Sequence, residues 1–336
     1  MKLQVPFIQL PLQFDAAMLA AEVAVLGEDA WRPHPEGYPG NSALTLITTG
    51  GDVDSDAVTG PMLPTPYLLR CPYLMQVMAS LGAVWGRSRL MRLSGHAEVT
   101  PHVDVNYYWR ERMRVHVPIV TQPTVRFHCG DADINMAAGD CWIFDTWRMH
   151  HVVNDAEHAR IHLVADTVGG ETFWQHVERG RASGATVAGW QAQRVVPHAD
   201  GKVELAYEAV NVPIVMTPWE LREHLGFLIG ESQPCPALQS LHQIAGRFIR
   251  NWQALWARYG EDRAGWPEYR QLLDQFALEA TPHASAIPLR NRYPLLRALI
   301  GIVIRNALAD QPLAADAEAR EGPAATAVRA AAEAQR

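Results

Sequence analysis

The chain has little cysteine and no closely spaced cysteine pair. Among its 336 residues are four scattered cysteines: Cys71, Cys129, Cys141 and Cys235. A thiolate zinc site needs several cysteines at short spacing, and a disulfide framework is typical of much smaller secreted domains. We therefore expect neither, and we expect the protein in a reducing compartment, the cytoplasm.

The chain also lacks an excess of positive charge and a long apolar run. Its net charge is −7 and its pI is about 6.0, so we expect no nucleic acid and no anionic membrane as a partner. The apolar stretch 294–304 is interrupted by Arg297 and is too short to span a bilayer. The N-terminus does not have the apolar core of a signal peptide.

Short runs of β-type residues dominate the middle of the chain. They occupy 89–95, 102–106, 113–120, 124–128, 141–145 and 159–168, and turn residues such as Gly139 separate them. Short strands at this spacing favour two packed antiparallel sheets over a helical or parallel α/β fold. The sequence therefore predicts a mainly β core of the jelly-roll, cupin-like type.

The regions on either side of this core have a different pattern. Before it we predict an αβ extension, with strands at 3–12 and 43–49 and helices at 14–27 and 72–84. After it, helical spacing recurs at 217–230, 237–259, 266–279 and 292–309. We thus predict a jelly-roll domain with its N-terminal extension at 1–185 and a helical region at 186–310. The stretch 311–336 has no bulky apolar anchor and is predicted to be a disordered tail.

Two histidines and an aspartate form a candidate metal site. His102 and Asp104 are two positions apart, so in a strand both point to one side of the sheet, and Asn106 would share that face. A second histidine, His150 or His151, follows later in the chain; in a strand, one of the two faces inward. Two histidines and one carboxylate can occupy one face of an octahedral Fe(II), and three positions then remain for other ligands.

Several basic residues follow the same alternation. Arg160 opens an apolar strand, where a guanidinium inside the core would suit the far carboxylate of a dicarboxylate cosubstrate. Arg112, Arg114 and His116 share one face of another strand. If that face is inward, Arg114 and His116 are contacts for the cosubstrate, and Arg112 or Arg114 for a substrate carboxylate; if it is outward, they are solvated charges. We assign no role to the other histidines nearby, His128, His158 and His162.

Residues 89–170 resemble the aspartyl/asparaginyl β-hydroxylase family of Fe(II)/2-oxoglutarate dioxygenases. The segments that carry the resemblance are His102-Val103-Asp104, residues 113–119, residues 139–144, His150 with Val152 and Asn154, and residues 160–166. Within that family, the segment Arg114-Val-His116-Val-Pro118 is similar to the bacterial free amino acid hydroxylases of the proline cis-hydroxylase type.

The resemblance implies a double-stranded β-helix fold, with Fe(II), 2-oxoglutarate and O2 as the reactants besides the substrate. It places the second histidine ligand several residues after a Phe-Asp pair, which selects His150. It also implies that His116 and Arg160 bind 2-oxoglutarate. From the strand alternation we add Arg114 as a further cosubstrate contact, and Arg112 and Asn106 as candidate substrate contacts.

The expected activity is hydroxylation of an unactivated C–H bond in a free amino acid or a similar small molecule, with release of succinate and CO2. One alternative is a hydroxylase that acts on an amino-acid side chain within a peptide or protein. An alternative of another class is a non-enzymatic jelly-roll binding module stabilised by its metal, for which a fourth protein ligand is expected.

Overall fold

A computed structural model describes residues 1–34, 37–198 and 203–310. Fifteen strands lie within these residues: β1 Phe7–Phe14, β2 Arg32–Pro33, β3 Asn41–Thr49, β4 Met62–Pro64, β5 Val84–Leu93, β6 Glu98–His102, β7 Met113–Val120, β8 Val125–Cys129, β9 Ala132–Ile134, β10 Asp140–Phe144, β11 His150–Asn154, β12 Arg160–Gly169, β13 Arg181–Ala182, β14 Gln193–Val195 and β15 Ala206–Tyr207.

The α-helices of the described residues are α1 Ala16–Ala24, α2 Pro66–Leu69, α3 Pro72–Ser80, α4 Tyr107–Glu111, α5 Glu171–Glu178, α6 Pro218–Glu231, α7 Pro236–Tyr259, α8 Trp266–Ala284 and α9 Leu295–Leu299. A π-helix, Ile300–Ile304, directly follows α9. No described helix combines the length and the apolar character that a crossing of the lipid bilayer requires.

The strands of the described residues form two sheets. The larger one has the order β13-β1-β10-β7-β12-β5-β3-β2, with β4, β14 and β15 paired at its margins, and the smaller one has the order β6-β11-β8-β9. From β5 to β12 the chain passes back and forth between them, since β5, β7, β10 and β12 belong to the large sheet and β6, β8, β9 and β11 to the small one. This alternation is the winding of a jelly roll.

A hydrophobic cluster joins the two sheets face to face. It contains Phe7, Leu93, Trp142 and Phe144 from the large sheet, Val125, Phe127, Cys129 and Val152 from the small sheet, and Met136. Phe7 and Phe127 meet edge to face, with ring centroids 5.6 Å apart. Strands β8 and β11 alternate buried and less buried residues, as expected for strands with one face on a core. The predicted double-stranded β-helix with αβ and helical additions is confirmed.

Gly139 makes the close turn into β10 possible. Its φ is +82°, and a Cβ atom at this position would lie 2.3 Å from the carbonyl oxygen of Phe14. The backbone N–H of Gly139 donates to the carbonyl of Pro118, and its own carbonyl accepts from the N–H of Phe14. A residue without a side chain is therefore required where β1, β7 and β10 converge.

The helices predicted after the core are present, with one difference. Helices α6, α7 and α8 match the expected positions, but the predicted helix 292–309 is divided into α9 and the π-helix. Pro294 stands at the N-cap of α9 because it cannot continue a helix from its N-terminal side, so the segment starts later than its apolar spacing suggests. The predicted tail, 311–336, lies outside the described residues.

The described residues divide into two compact units. The first contains Met1–Asp104 and Glu111–Asn211; the second contains Val105–Arg110 and, of the residues after Asn211, the described ones, 212–310. The first unit continues beyond the predicted boundary at 185, because β14 pairs with β1 and β15 with β5. In the second unit, the Tyr107 hydroxyl donates to Glu220 Oε1 at 2.6 Å, and the guanidinium of Arg110 lies 4.0 Å from the ring centroid of Phe227.

The predicted strand 102–106 is wrong beyond its first residue. Strand β6 ends at His102, and helix α4 begins at Tyr107. The side chain of Asn106 accepts a hydrogen bond from the backbone N–H of Trp109 at 2.9 Å, which is the contact of a residue at a helix start. Asn106 therefore does not share a strand face with His102 and Asp104, as the alternating sequence suggested.

Candidate metal centre

The structure brings together the three predicted metal ligands. Asp104 Oδ1 lies 3.9 Å from His102 Nε2, and Asp104 Oδ2 lies 3.9 Å from His150 Nε2. The imidazole ring centroids are 4.2 Å apart, because His102 and His150 are partners in the register of β6 and β11. Asp104 and His150 are buried, and His102 is partly exposed.

Backbone carbonyls determine which nitrogen of each histidine faces Asp104. His102 Nδ1 lies 2.7 Å from the carbonyl oxygen of Thr100, and His150 Nδ1 lies 2.9 Å from that of Arg148. A carbonyl can only accept, so each Nδ1 carries a hydrogen, and Nε2 is the nitrogen of each ring that is left to face a metal ion. Burial, followed by the electrostatic effect of the neighbouring His102 ring, lowers the pKa of His150 to about 3, so the His150 imidazole is neutral at pH 7.

The loop between β10 and β11 supports two of the ligands. The Asp145 carboxylate accepts hydrogen bonds from the N–H of Trp147 and from Arg148 Nε, at 3.0 and 2.9 Å. This turn presents the Arg148 carbonyl to His150, and its Thr146 carbonyl accepts from the backbone N–H of Asp104 at 3.1 Å. The Phe-Asp pair before His150 is thus part of the support of the site.

His151 lies on the other face of β11. Its ring stacks on that of His128, with centroids 4.1 Å apart and planes within 6° of parallel. Partial burial, with the charge of His128 as the next cause, lowers the pKa of His151. The strand therefore directs His150, and not its neighbour, toward Asp104.

Arg160 is a buried cation without an ion pair in the described part of the chain. Its guanidinium makes a long hydrogen bond, 3.4 Å from Nη1 to the carbonyl of Met91, and its Nε has no partner among the described residues. Burial lowers the pKa of Arg160 to about 10, so it remains charged at neutral pH. A buried charge without a counter-ion is costly, which makes this position suited to an anionic ligand.

Two buried histidines lie beside Arg160. His116 Nδ1 and His162 Nδ1 are 3.5 Å apart, and the Nε2 atoms of both lack a hydrogen-bond partner in the described residues. Burial, and then the positive charge of Arg160, lowers the pKa of both well below 6.5. The ring centroid of Phe144 lies 5.3 Å from that of His116 and 4.9 Å from that of His150. This one side chain therefore contacts both the polar cluster and a predicted metal ligand.

Arg114 and Arg112 are both bound to acidic side chains. Arg114 lies on the inward face of β7, and its guanidinium contacts Asp104 Oδ2 and Asp166 Oδ1, each at 3.0 Å. Arg112 precedes β7 and forms a buried ion pair with Glu208, with Nε and Nη2 each 3.0 Å from a carboxylate oxygen. This pair gives no support to the substrate contact predicted for Arg112.

The sequence prediction missed two buried residues of the site, His162 and Asp166. Both lie on β12 at even spacing from Arg160, and strand alternation does place His162 on its face, although nothing in the sequence indicated a role for it. Asp166 is also the register partner of Arg114 on β7. The ion pair of Arg114 with Asp166 joins an arginine and an aspartate that face each other on neighbouring strands. It can be predicted only when the pairing of the two strands is known.

The donor set fits a divalent transition metal ion. Two neutral imidazoles and one carboxylate are the ligands of non-haem Fe(II) sites with open positions. The carbonyls of Thr100 and Arg148 accept from Nδ1 and orient both Nε2 atoms toward Asp104, and such support of ligand histidines is a recurrent feature of metal sites. Among residues 1–34, 37–198 and 203–310, this is the one group of three or more His, Cys, Asp or Glu side chains with ligand atoms within 4.8 Å of one another.

Comparison with known proteins agrees with the family predicted from the sequence. Residues 63–169 match the model of the aspartyl/asparaginyl beta-hydroxylase family. L-proline cis-3-hydroxylase 1 from Streptomyces sp. is 30% identical over 128 residues, which are 35% of this chain and 43% of that protein. The match thus spans less than half of the relative's length. The resemblance is confirmed for this part of the chain.

Solved structures with similar coordinates are related more distantly. A prolyl-4-hydroxylase from Pseudomonas putida has a TM-score of 0.34 at 15% identity, over 49% of this chain and 92% of that one. HygX from Streptomyces hygroscopicus, solved with nickel, 2-oxoglutarate and hygromycin B bound, has a TM-score of 0.33 at 10% identity, over 50% and 84% of the two chains.

Proposed function

We propose that this protein is an Fe(II)- and 2-oxoglutarate-dependent dioxygenase that hydroxylates an unactivated C–H bond. The observation that carries the proposal is the combination, within one β core, of the ligands His102, Asp104 and His150 with the buried, uncompensated guanidinium of Arg160. The first group suits Fe(II), and the second suits the distal carboxylate of a dicarboxylate such as 2-oxoglutarate.

The side chains around Arg160 favour an anion that accepts hydrogen bonds. His116 and His162 are neutral and share one hydrogen between their Nδ1 atoms, so one of the two Nε2 atoms carries a hydrogen. That Nε2–H and the Arg160 guanidinium can both donate to a carboxylate. We therefore assign 2-oxoglutarate binding to Arg160 and His116, as the sequence resemblance implies, and add His162.

Each group of residues has a separate part in the proposed reaction. His102, Asp104 and His150 would hold Fe(II), which with bound 2-oxoglutarate supplies the power to oxidise a C–H bond with O2, as succinate and CO2 are released. The protein's residues orient the cosubstrate through Arg160 and exclude water with the apolar cluster around Phe127 and Phe144. The non-enzymatic alternative expects a fourth protein ligand, and the described residues offer three.

For the substrate we propose a free amino acid or a similar small molecule. The support is the sequence similarity to L-proline cis-3-hydroxylase 1, whose name gives a free amino acid as substrate. A side chain within a peptide is the second candidate. A mass-spectrometric search for products one oxygen atom heavier, among amino acids and then short peptides, separates the two.

The cosubstrate part of the proposal is tested by anaerobic spectroscopy. We expect a visible charge-transfer absorption when Fe(II) and 2-oxoglutarate are added together to the wild-type protein. Arg160→Met should raise the 2-oxoglutarate concentration needed for this absorption by about 10- to 100-fold, since hydrogen bonds to charged groups contribute about 1.5–3 kcal/mol. Arg126→Met, at a more exposed arginine paired with Asp133, is the control and should behave as wild type.

Two results would contradict the proposal. One is a folded wild-type protein that shows neither this absorption nor succinate formation with any substrate of the screen. The other is wild-type turnover after His102→Ala, because a protein that keeps its activity without this imidazole does not use the site described above.

A further inference from the structure

Arg114 bridges two buried carboxylates, one of which is a proposed metal ligand. Its Nη1 donates to Asp104 Oδ2 and its Nε donates to Asp166 Oδ1, both at 3.0 Å. The side chains of Asp104 and Asp166 are 1% and 3% exposed, and that of Arg114 is 12% exposed, so water screens these contacts little.

The far end of this chain of contacts is rigid. Arg114 and Asp166 are register partners on β7 and β12, two neighbouring strands inside the large sheet. Asp166 therefore holds the Nε side of the guanidinium at a position set by the sheet. Because a guanidinium is planar, fixing its Nε also fixes the direction in which Nη1 points.

Asp104, in contrast, depends on its contacts for orientation. It follows the end of β6, and its backbone is held by the hydrogen bond to the Thr146 carbonyl. Its carboxylate must face two imidazoles, with Oδ1 and Oδ2 each 3.9 Å from an Nε2 atom. The contact from Arg114 opposes rotation of the carboxylate away from that orientation.

We infer that Arg114 and Asp166 are positioning residues of the metal centre, which hold the carboxylate of Asp104 in its ligating orientation. Asp166 also balances the charge of Arg114. Without Asp166, a net positive charge would lie beside the ligand and oppose the binding of a cation. The inference rests on the proposed function, and it gives Arg114 a role different from the cosubstrate contact predicted from the sequence.

The test is the affinity of the metal-free protein for Co(II), measured from the visible absorption of the bound ion. Asp166→Asn removes one charge at constant size and leaves an amide oxygen to accept from Arg114; Arg114→Met removes the bridge. We expect either change to weaken Co(II) binding by about 10- to 100-fold, the usual range when residues that support a metal ligand are replaced. Asp166→Asn would act through the uncompensated charge of Arg114, and Arg114→Met through the lost contact to Asp104. At saturating Co(II), the affinity for 2-oxoglutarate should stay within about twofold of the wild-type value, since the cosubstrate would be held elsewhere.

Arg160→Met is the matched control, since Arg160 is a buried arginine on the same sheet. It should show the opposite pattern, with unchanged Co(II) affinity and weakened 2-oxoglutarate binding. Thermal unfolding of each metal-free variant shows that the protein is folded. If Arg114→Met does not fold, the Co(II) affinity of Asp166→Asn alone tests the positioning role.

Two outcomes would overturn the inference: wild-type Co(II) affinity in folded Asp166→Asn, or an Arg114→Met protein that loses 2-oxoglutarate affinity and keeps that for Co(II). Failure of the proposed function is a separate result. A wild-type protein that binds Co(II) but never 2-oxoglutarate would refute that function, and the Co(II) affinities of the variants would still decide the positioning role.

Discussion

His150 and His151 are neighbours in the chain with different surroundings. His150 is buried, faces Asp104, and bonds through Nδ1 to the Arg148 carbonyl, whereas His151 stacks on His128 across the small sheet. The two side chains have the same chemistry, so any difference between the effects of replacing them must come from the face of β11 on which each lies.

This pair permits a closely matched mutational test of the metal site. We expect His150→Ala to abolish detectable Co(II) binding and 2-oxoglutarate turnover, because a third of the ligand set is lost. His151→Ala should keep both within about threefold, since measured effects of surface substitutions are usually small. Titration with Co(II) and an assay of succinate compare the two variants directly. If only His151→Ala lost Co(II) binding, His151 and not His150 would be the ligand.

At the scale of single residues, the sequence predicted those whose role depends on local spacing. The proposed ligands His102 and Asp104 are two positions apart, and Arg160 begins a clear apolar strand. Residues whose role depends on a distant partner escaped prediction. Arg112 pairs with Glu208 and Arg114 with Asp166, and neither partner is near in sequence.

Among the elements, β11 matters most because its register selects the ligand. Asn154, at its end, is fully buried, and its Nδ2 lies within 3.0 Å of three carbonyl oxygens, those of Leu93, Ser94 and His158. Its backbone N–H donates to Ala97. These bonds fix the strand at the end opposite to His150 and so oppose a shift of one residue.

We expect Asn154→Ala to destabilise the protein and to weaken the metal site together. Loss of the buried amide leaves carbonyls unpaired, at a cost of about 1–3 kcal/mol in unfolding free energy, and a less firmly held β11 should lower Co(II) affinity by about tenfold. Denaturant unfolding and Co(II) titration measure the two effects.

Asn135→Ala is the control for this element. The Asn135 amide also donates to two backbone carbonyls, those of Gln122 and Val125, but it lies outside β11. This variant should lose stability and keep wild-type Co(II) affinity. If both asparagine variants reduce Co(II) affinity equally, the effect is one of general stability and not of the register of β11.

Element prediction succeeded where the pattern was long and failed where it was short. Helices α6, α7 and α8 have repeated apolar spacing over 14 to 24 residues. The five residues 102–106 alternate like a strand, yet Asn106 starts a helix instead. An alternation this short fits a strand or a loop equally well, and tertiary contacts decide between them.

On the scale of the whole molecule, His116 and His162 make stability depend on pH. In the folded protein their pKa values lie well below 6.5, because burial and Arg160 oppose protonation. In the unfolded chain they would titrate near 6.5. Below that pH the unfolded state binds protons that the folded state does not, so the free energy of unfolding must fall as pH falls.

We expect metal-free wild-type protein to lose stability from pH 6.5 to pH 5 more steeply than His162→Gln. The difference in slope should approach about 1.4 kcal/mol per pH unit, the value for one suppressed proton. Urea unfolding at several pH values measures it. Parallel stability curves for the two proteins would show that His162 is protonated in the folded state.

The division into units is the feature least visible from sequence. Val105–Arg110 lies in the middle of the β region but groups with the helices that begin after residue 211. The contacts responsible, such as that of Tyr107 with Glu220, join residues more than a hundred positions apart. Local sequence patterns do not reveal such pairings. The predicted boundary at residue 185 therefore rested on the change in composition alone.

The winding of the chain places the two groups of the proposed site on different sheets, and this bears on how such a site changes over evolution. His102 and His150 belong to the small sheet, whereas Arg160, His116 and His162 belong to the large one. Under the proposed function, replacement of His116, Arg160 or His162 would change the acid that is bound and leave both imidazoles of the metal site in place. Conversely, loss of His102 or His150 would remove a proposed metal ligand and leave the buried cation on the other sheet unchanged.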